Sequence, residues 1–179
     1  MLQDYNKWRV AGVFFKNPLP EGGGFQLREI SRAVKLAPIS VKRYLKELEA
    51  EGILLETKSR AQGFPLYNAN IESEKYRFYK KLNALSLIFE SGLLNYLQDK
   101  AMPDAIVLFG SVARGEDTEQ SDIDLYMQCK QTKMELDKFE KAIGRNINIL
   151  YSKKLSQLSS ELKNNILNGI IIKGYLKVF

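Results

Sequence analysis

The chain of 179 residues is predicted to be an α+β protein built in two units, and three observations lead there. Residues 5–52 carry apolar side chains at helical spacing in successive runs, followed by two short β-type runs around a glycine-containing tip. Residues 72–100 hold one long apolar stripe at helical spacing. Beyond residue 102, consecutive apolar residues at 105–109 and 123–129 read as short buried strands. The expected division is a first domain over 1–70, a linker or packing helix over 71–101, and a second domain over 102–179.

The first helix is expected over 5–15, where Trp8, Val10, Ala11, Val13, Phe14 and Phe15 recur, and it stops at a Pro-rich stretch and the run Gly22-Gly23-Gly24. A short strand over 25–27 is expected next, then a helix over 28–34 with Ile30, Ala33 and Val34 inward. Residues 35–39, containing Pro38, form a turn. Ser40 is the expected N-cap of a helix that buries Val41, Tyr44, Leu45 and Leu48 and ends at Gly52. Its other face carries Lys42, Arg43 and Lys46. Strands over 53–57 and 65–67 would flank a basic tip, 58–64, holding Lys58, Arg60 and Gly63.

This stretch, about residues 5–69, resembles the winged helix-turn-helix family of DNA-binding domains. The resemblance rests on Leu27-Arg-Glu-Ile-Ser-Arg-Ala-Val, on the run from Pro38 to Leu54, and on the hairpin that would form the wing. It implies that 40–52 enters the major groove, with Ser40, Lys42, Arg43 and Lys46 as contacts and with Lys58 and Arg60 on phosphates. Such domains also serve in dimerisation and protein docking, so a protein partner stands beside DNA as an expected ligand. Charge agrees with either: residues 1–70 hold 11 Lys+Arg against 7 Asp+Glu, within a total of +6. Glu47, Glu49 and Glu51 dilute the field of the third helix toward its C-terminal end.

Composition narrows the chemistry of the second unit. Histidine is absent and Cys129 is the only cysteine, so Ser-His-Asp and Cys-His pairs, imidazole ligands and thiolate-rich metal sites are excluded within one chain. Cys129 is expected to be buried and inert. Any bound metal must be held by oxygen, which suits magnesium or manganese. No apolar stretch approaches the roughly 20 residues that span a bilayer, and no signal-peptide core opens the chain, so a cytoplasmic protein without membrane contact is expected.

Between residues 72 and 100, Tyr76, Tyr79, Leu82, Leu85, Ile88, Phe89, Leu93 and Leu97 keep helical register, and Gly92 is a candidate bend or break. The strand over 105–109 then runs straight into Gly110-Ser111. Glycine lets the backbone approach a phosphate, the serine hydroxyl and following N–H groups can donate to it, and Arg114 adds positive charge. After a polar loop, Ser121-Asp122 opens the next strand. Side chains two apart on a strand point the same way with Cα atoms about 6.6 Å apart, so Asp122 and Asp124 share one space, where they could hold one or two metal ions.

The set Phe109-Gly-Ser, Gly115 and Ser121-Asp-Ile-Asp-Leu resembles the nucleotidyltransferase superfamily of DNA polymerase β-like enzymes, in particular its minimal nucleotidyltransferase branch. The likeness runs from about residue 103 to the C-terminus. It implies a mixed β-sheet flanked by helices, ATP or another nucleoside triphosphate (NTP) as substrate, Mg2+ or Mn2+, and transfer of a nucleoside monophosphate to a hydroxyl. Gly110, Ser111, Arg114 and Ser121 would then bind nucleotide, and Asp122 and Asp124 would be catalytic metal ligands. A helix is expected over 132–143, then the family strand that normally carries a third aspartate. Asn148 stands in that place. An asparagine brings neither charge nor a base for the nucleophile's proton. Glu116, Asp117, Glu119 and Glu140 are the nearby acids that could compensate. A closing helix over 156–166 and an apolar tail would complete the domain.

Three functions follow from these resemblances. The first is a nucleotidyltransferase with a DNA- or partner-binding winged helix. The second is a DNA-binding regulator whose transferase domain is degenerate at Asn148. The third is the antitoxin role of the minimal branch, in which a partner toxin is bound or nucleotidylated; a second copy of the chain is a further expected partner.

Overall fold

The computed structural model describes residues 5–58 and 63–178. Two compact units emerge, 1–83 and 84–179. Among the described residues no helix is long and apolar enough to cross a membrane.

The first unit holds α1 (Asn6–Lys16), α2 (Leu27–Val34), α3 (Pro38–Ala50) and the antiparallel hairpin β1 (Leu54–Lys58) and β2 (Pro65–Ala69), with Leu54 opposite Ala69 and Lys58 opposite Pro65. Its core gathers Val10, Phe14 and Phe15 from α1, Ile30 and Val34 from α2, Val41, Leu45 and Leu48 from α3, and Tyr67 from β2. The expected strand over 25–27 is not formed: Phe25 makes a single antiparallel bridge to Tyr67, and Leu27 already belongs to α2. Helix α2 starts early because Gln26 and Glu29 close a reciprocal capping box there. Ala33, expected inward, is exposed.

Helix α3 also starts earlier than its sequence suggested. Its N-cap is Ala37 and Pro38 occupies the first turn, so Ser40 is not the cap; its N–H donates to the Ala37 carbonyl at 3.0 Å. Proline has its φ preset for a helix and lacks only an N–H that the first turn leaves unused.

The long stripe becomes two helices, α4 (Glu74–Glu90) and α5 (Leu93–Ala101), broken where Gly92 takes φ 77°. The boundary between the compact units falls inside α4. The second unit continues with β3 (Ala105–Phe109), α6 (Gly110–Arg114), β4 (Ile123–Met127), α7 (Asp137–Ile143), β5 (Ile147–Tyr151), α8 (Ser160–Leu167) and β6 (Ile170–Gly174). The sheet order is β5-β4-β3-β6, with β4 and β5 parallel and the other pairs antiparallel. It is the mixed sheet expected.

Two segments depart from expectation. The helix foreseen over 132–143 begins only at Asp137, because the preceding backbone is claimed by side chains: Tyr151 donates to the Thr132 carbonyl at 3.2 Å and the Glu135 N–H donates to the Tyr96 hydroxyl at 2.9 Å. The helix over 156–166 shortens to α8, and the apolar tail forms strand β6, hydrogen-bonded to β3.

Candidate active site

Strands β3, β4 and β5 bring the polar cluster together. Every side chain of β3 from Ala105 to Leu108 is buried, which fixes the strand and delivers Gly110 at its end. In β4, Ile123 and Leu125 are buried at 1% and 0% exposure, so Asp124 between them must take the opposite face of the pleat. Asp122 lies just before the strand. The parallel register sets Asp124 beside Asn148 of β5.

The three side chains meet through hydrogen bonds. The Asn148 amide Nδ2 donates to Asp122 Oδ2 at 3.1 Å and to Asp124 Oδ1 at 3.3 Å. Asn146 adds a donor that sequence reading missed, from Nδ2 to Asp122 Oδ1 at 3.0 Å. A period-2 reading of β5 was the available signal, since Asn146 and Asn148 share a face. Two carboxylates are thereby gathered by neutral amides, which direct N–H groups at them without cancelling their charge.

Gly110 closes the cluster. Its φ is 74°, and a Cβ there would lie 2.6 Å from Asp124 Oδ2. Only a residue without a side chain lets the turn approach this carboxylate so closely. Ser111 follows in α6, half-buried. Ser121 Oγ accepts the Thr118 N–H at 2.9 Å, so this hydroxyl braces the loop before Asp122.

The acids considered as substitutes for a third carboxylate are mostly engaged elsewhere. Glu116 pairs with Arg114 at 2.7 Å. Asp117 is buried against Arg145 at 2.6 Å, and Glu140 accepts the Ile147 N–H at 2.9 Å. Glu119 is exposed. Among the described residues no group of three or more His, Cys, Asp or Glu side chains is arranged to hold a metal. The donor set at Asp122 and Asp124 nevertheless fits one hard cation of the Mg2+ or Mn2+ type, which binds one or two carboxylates and completes its shell with phosphate oxygens and water. Cys129 is half-buried rather than fully enclosed, and burial, with the Asp104 charge nearby, pushes its thiol pKa up.

The residues expected to contact DNA lie in the first unit. Lys42, Arg43 and Lys46 are exposed on α3 and Ser40 is half-buried. The Arg43 guanidinium stands 4.8 Å from the Tyr44 ring centroid and 3.8 Å from Glu47. Lys58 is exposed at the end of β1, and Arg60 lies outside the described residues.

Residues 92–176 match the family described as Polymerase beta, Nucleotidyltransferase. The matched stretch covers α5 through β6 and contains Gly110, Asp122, Asp124 and Asn148. It supports the nucleotidyltransferase assignment of this part of the chain. No curated protein matches the chain.

Proposed function

We propose that the second unit binds ATP or another nucleoside triphosphate with Mg2+ or Mn2+ and transfers a nucleoside monophosphate to a hydroxyl acceptor. The observation that carries this reading is the convergence of Asp122 and Asp124 on one amide beside the Gly110 turn. Asp122 and Asp124 would hold the cation, which when bound supplies Lewis-acid polarisation of the phosphoryl oxygens. Gly110 sets the turn close against Asp124, and the Ser111 hydroxyl that follows can donate to a phosphate. Arg114 and Ser121 flank the same loop. The first unit is read as a winged helix-turn-helix that engages DNA through Ser40, Lys42, Arg43 and Lys46, with Lys58 and Arg60 toward phosphates, in a cytoplasmic protein. Within this reading 1–70, 71–101 and 102–179 act as recognition domain, linker and transferase domain.

Incubation with ATP labelled at the α-phosphate, with Mg2+ and with nucleic acid or protein acceptors, tests the activity. Label transferred by wild type and lost in Asp122→Ala/Asp124→Ala is the expected result. No transfer to any acceptor, with wild type and variant indistinguishable, sinks the catalytic claim.

Asn148 favours a second reading, a DNA-binding regulator that binds nucleotide without turnover. In the resemblance Asn148 stands where the family carries a third carboxylate, and its amide cannot accept a proton from the attacking hydroxyl. This reading expects nucleotide binding without labelled product, and salt-sensitive DNA affinity that falls about tenfold in Arg43→Ala. Absence of DNA binding at low salt would remove it.

A further inference from the structure

We propose that Arg145 and Asp117 are positioning residues that hold Asp122 toward Asp124 and Asn148. The consequence for metal binding rests on the nucleotidyltransferase reading of the same site. The loop between α6 and β4 contains no regular element from Gly115 to Asp122, yet it must deliver Asp122 in register with the strand. Arg145, just before β5, spans two points of that loop. Its Nη2 meets Asp117 Oδ2 at 2.6 Å and its Nη1 donates to the Ser121 carbonyl at 3.1 Å.

Ser121 directly precedes Asp122, so fixing the Ser121 carbonyl fixes the peptide plane from which the Asp122 side chain departs. The neighbouring pair repeats the tie: the Ile123 N–H donates to the Asn146 carbonyl at 2.9 Å. Asp122 is thus clamped on both sides to the segment that also presents the Asn146 and Asn148 amides. The pair is sheltered, with the Arg145 side chain 14% exposed and that of Asp117 4%. A guanidinium so placed needs an opposite charge beside it, and Asp117 supplies it. The fork sets two separate nitrogens on a carboxylate and a carbonyl at once, whereas a lysine would have to reach both from a single nitrogen.

Removing one partner would leave a buried charge, so the test replaces both. The double variant Asp117→Leu/Arg145→Met substitutes apolar side chains for the ion pair, an exchange that folded proteins commonly tolerate. The variant Arg145→Lys keeps a charge for Asp117 and loses the second reach to Ser121. Three readouts separate the outcomes: thermal unfolding, the side-chain amide NMR signals of Asn146 and Asn148 without any ligand, and Mn2+ affinity in the presence of ATP. The expected result is retained cooperative unfolding, displaced Asn146 and Asn148 signals, and Mn2+ affinity about 10- to 100-fold weaker, with Arg145→Lys between wild type and double variant. Unmoved amide signals in a folded variant overturn the proposal. Should the double variant fail to fold, Arg145→Lys decides by the same signals. If wild type binds no Mn2+, the transferase reading falls while the amide signals still decide the positioning role.

Discussion

Gly110 concentrates the residue-scale logic of the site. Its φ of 74° and the 2.6 Å separation that a Cβ would have from Asp124 Oδ2 act in the same direction. Gly110→Ala is therefore expected to cost about 1–3 kcal/mol in denaturant unfolding and to weaken Mn2+ binding, because either the turn or the Asp124 carboxylate must move. Unchanged stability together with unchanged metal affinity would contradict that account. Asn148 gives the opposite experiment. Asn148→Asp removes the amide that donates to both aspartates and places a third negative charge among them, so the metal-free protein should melt lower. Mn2+ should restore the loss and bind more tightly than in wild type; a variant that melts lower with and without Mn2+ would count against an oxygen-ligand site. Asn148 was legible in the sequence only through the family resemblance, Gly110 because it ends an apolar strand, and Asp122 and Asp124 because period 2 on a strand dictates direction. Asn146 obeyed the same rule. Arg145 did not announce itself, since its partners lie 28 and 24 positions away along the chain.

Elements show where local rules win and where they yield. Helix α3 reads correctly from its apolar positions, yet its start was set by Pro38 instead of Ser40. The segment before α7 has helical spacing but loses its first turns to hydrogen bonds from Tyr96 and Tyr151, a tertiary override of propensity. Between α1 and α3, Lys7 contacts Glu51 closely and Glu47 at 3.3 Å, while Lys75 reaches Glu51 at 3.6 Å. The hydrogen bond from Lys7, aided by the positive charge around it, holds the Glu51 carboxyl below its ordinary 4.5 against the opposing effect of burial. For Lys7, burial works to lower the pKa, but bonds to Glu51 and Glu47 together raise it above 10.5. A lowered acid stabilises above its unfolded value, so the Glu51 contribution is present above pH 4.5 and is lost as pH falls through the depressed value. The Lys7 contribution is present below pH 10.5 and is lost as pH rises through the raised one. With both side chains about one-third exposed, the pair is worth at most about 1 kcal/mol. Glu51→Gln should flatten the stability profile below pH 4.5 by that amount; an acid limb identical to wild type would show that the pair contributes nothing.

At the scale of the whole molecule, each unit has buried packing of its own, and the second adds a further cluster of Ala105, Val107, Tyr126, Leu155, Ile166 and Leu176. The first unit packs around α1, α2 and α3, and the second around β3, β4 and β5 with α5, α6 and α7. A ligand that binds only the native second unit at 100 times its Kd stabilises that unit by about 2.7 kcal/mol. ATP with Mn2+ should accordingly slow amide exchange about 100-fold at Leu108 and Leu125 and leave Val41 and Leu45 unaffected. Equal protection in both units would refute the assignment of nucleotide to the second alone. The sequence by itself determined the α+β composition, the helical first unit with its hairpin, and the polar cluster from Gly110 to Asp124, because those features rest on periodicity and neighbouring residues. Tertiary structure alone decided that the apolar tail becomes an edge strand on β3, that Asn146 and Asn148 turn their amides on the two aspartates, and that Arg145 ties the loop to β5. These choices depend on pairings between segments distant along the chain, whose hydrogen-bond partners no local pattern identifies.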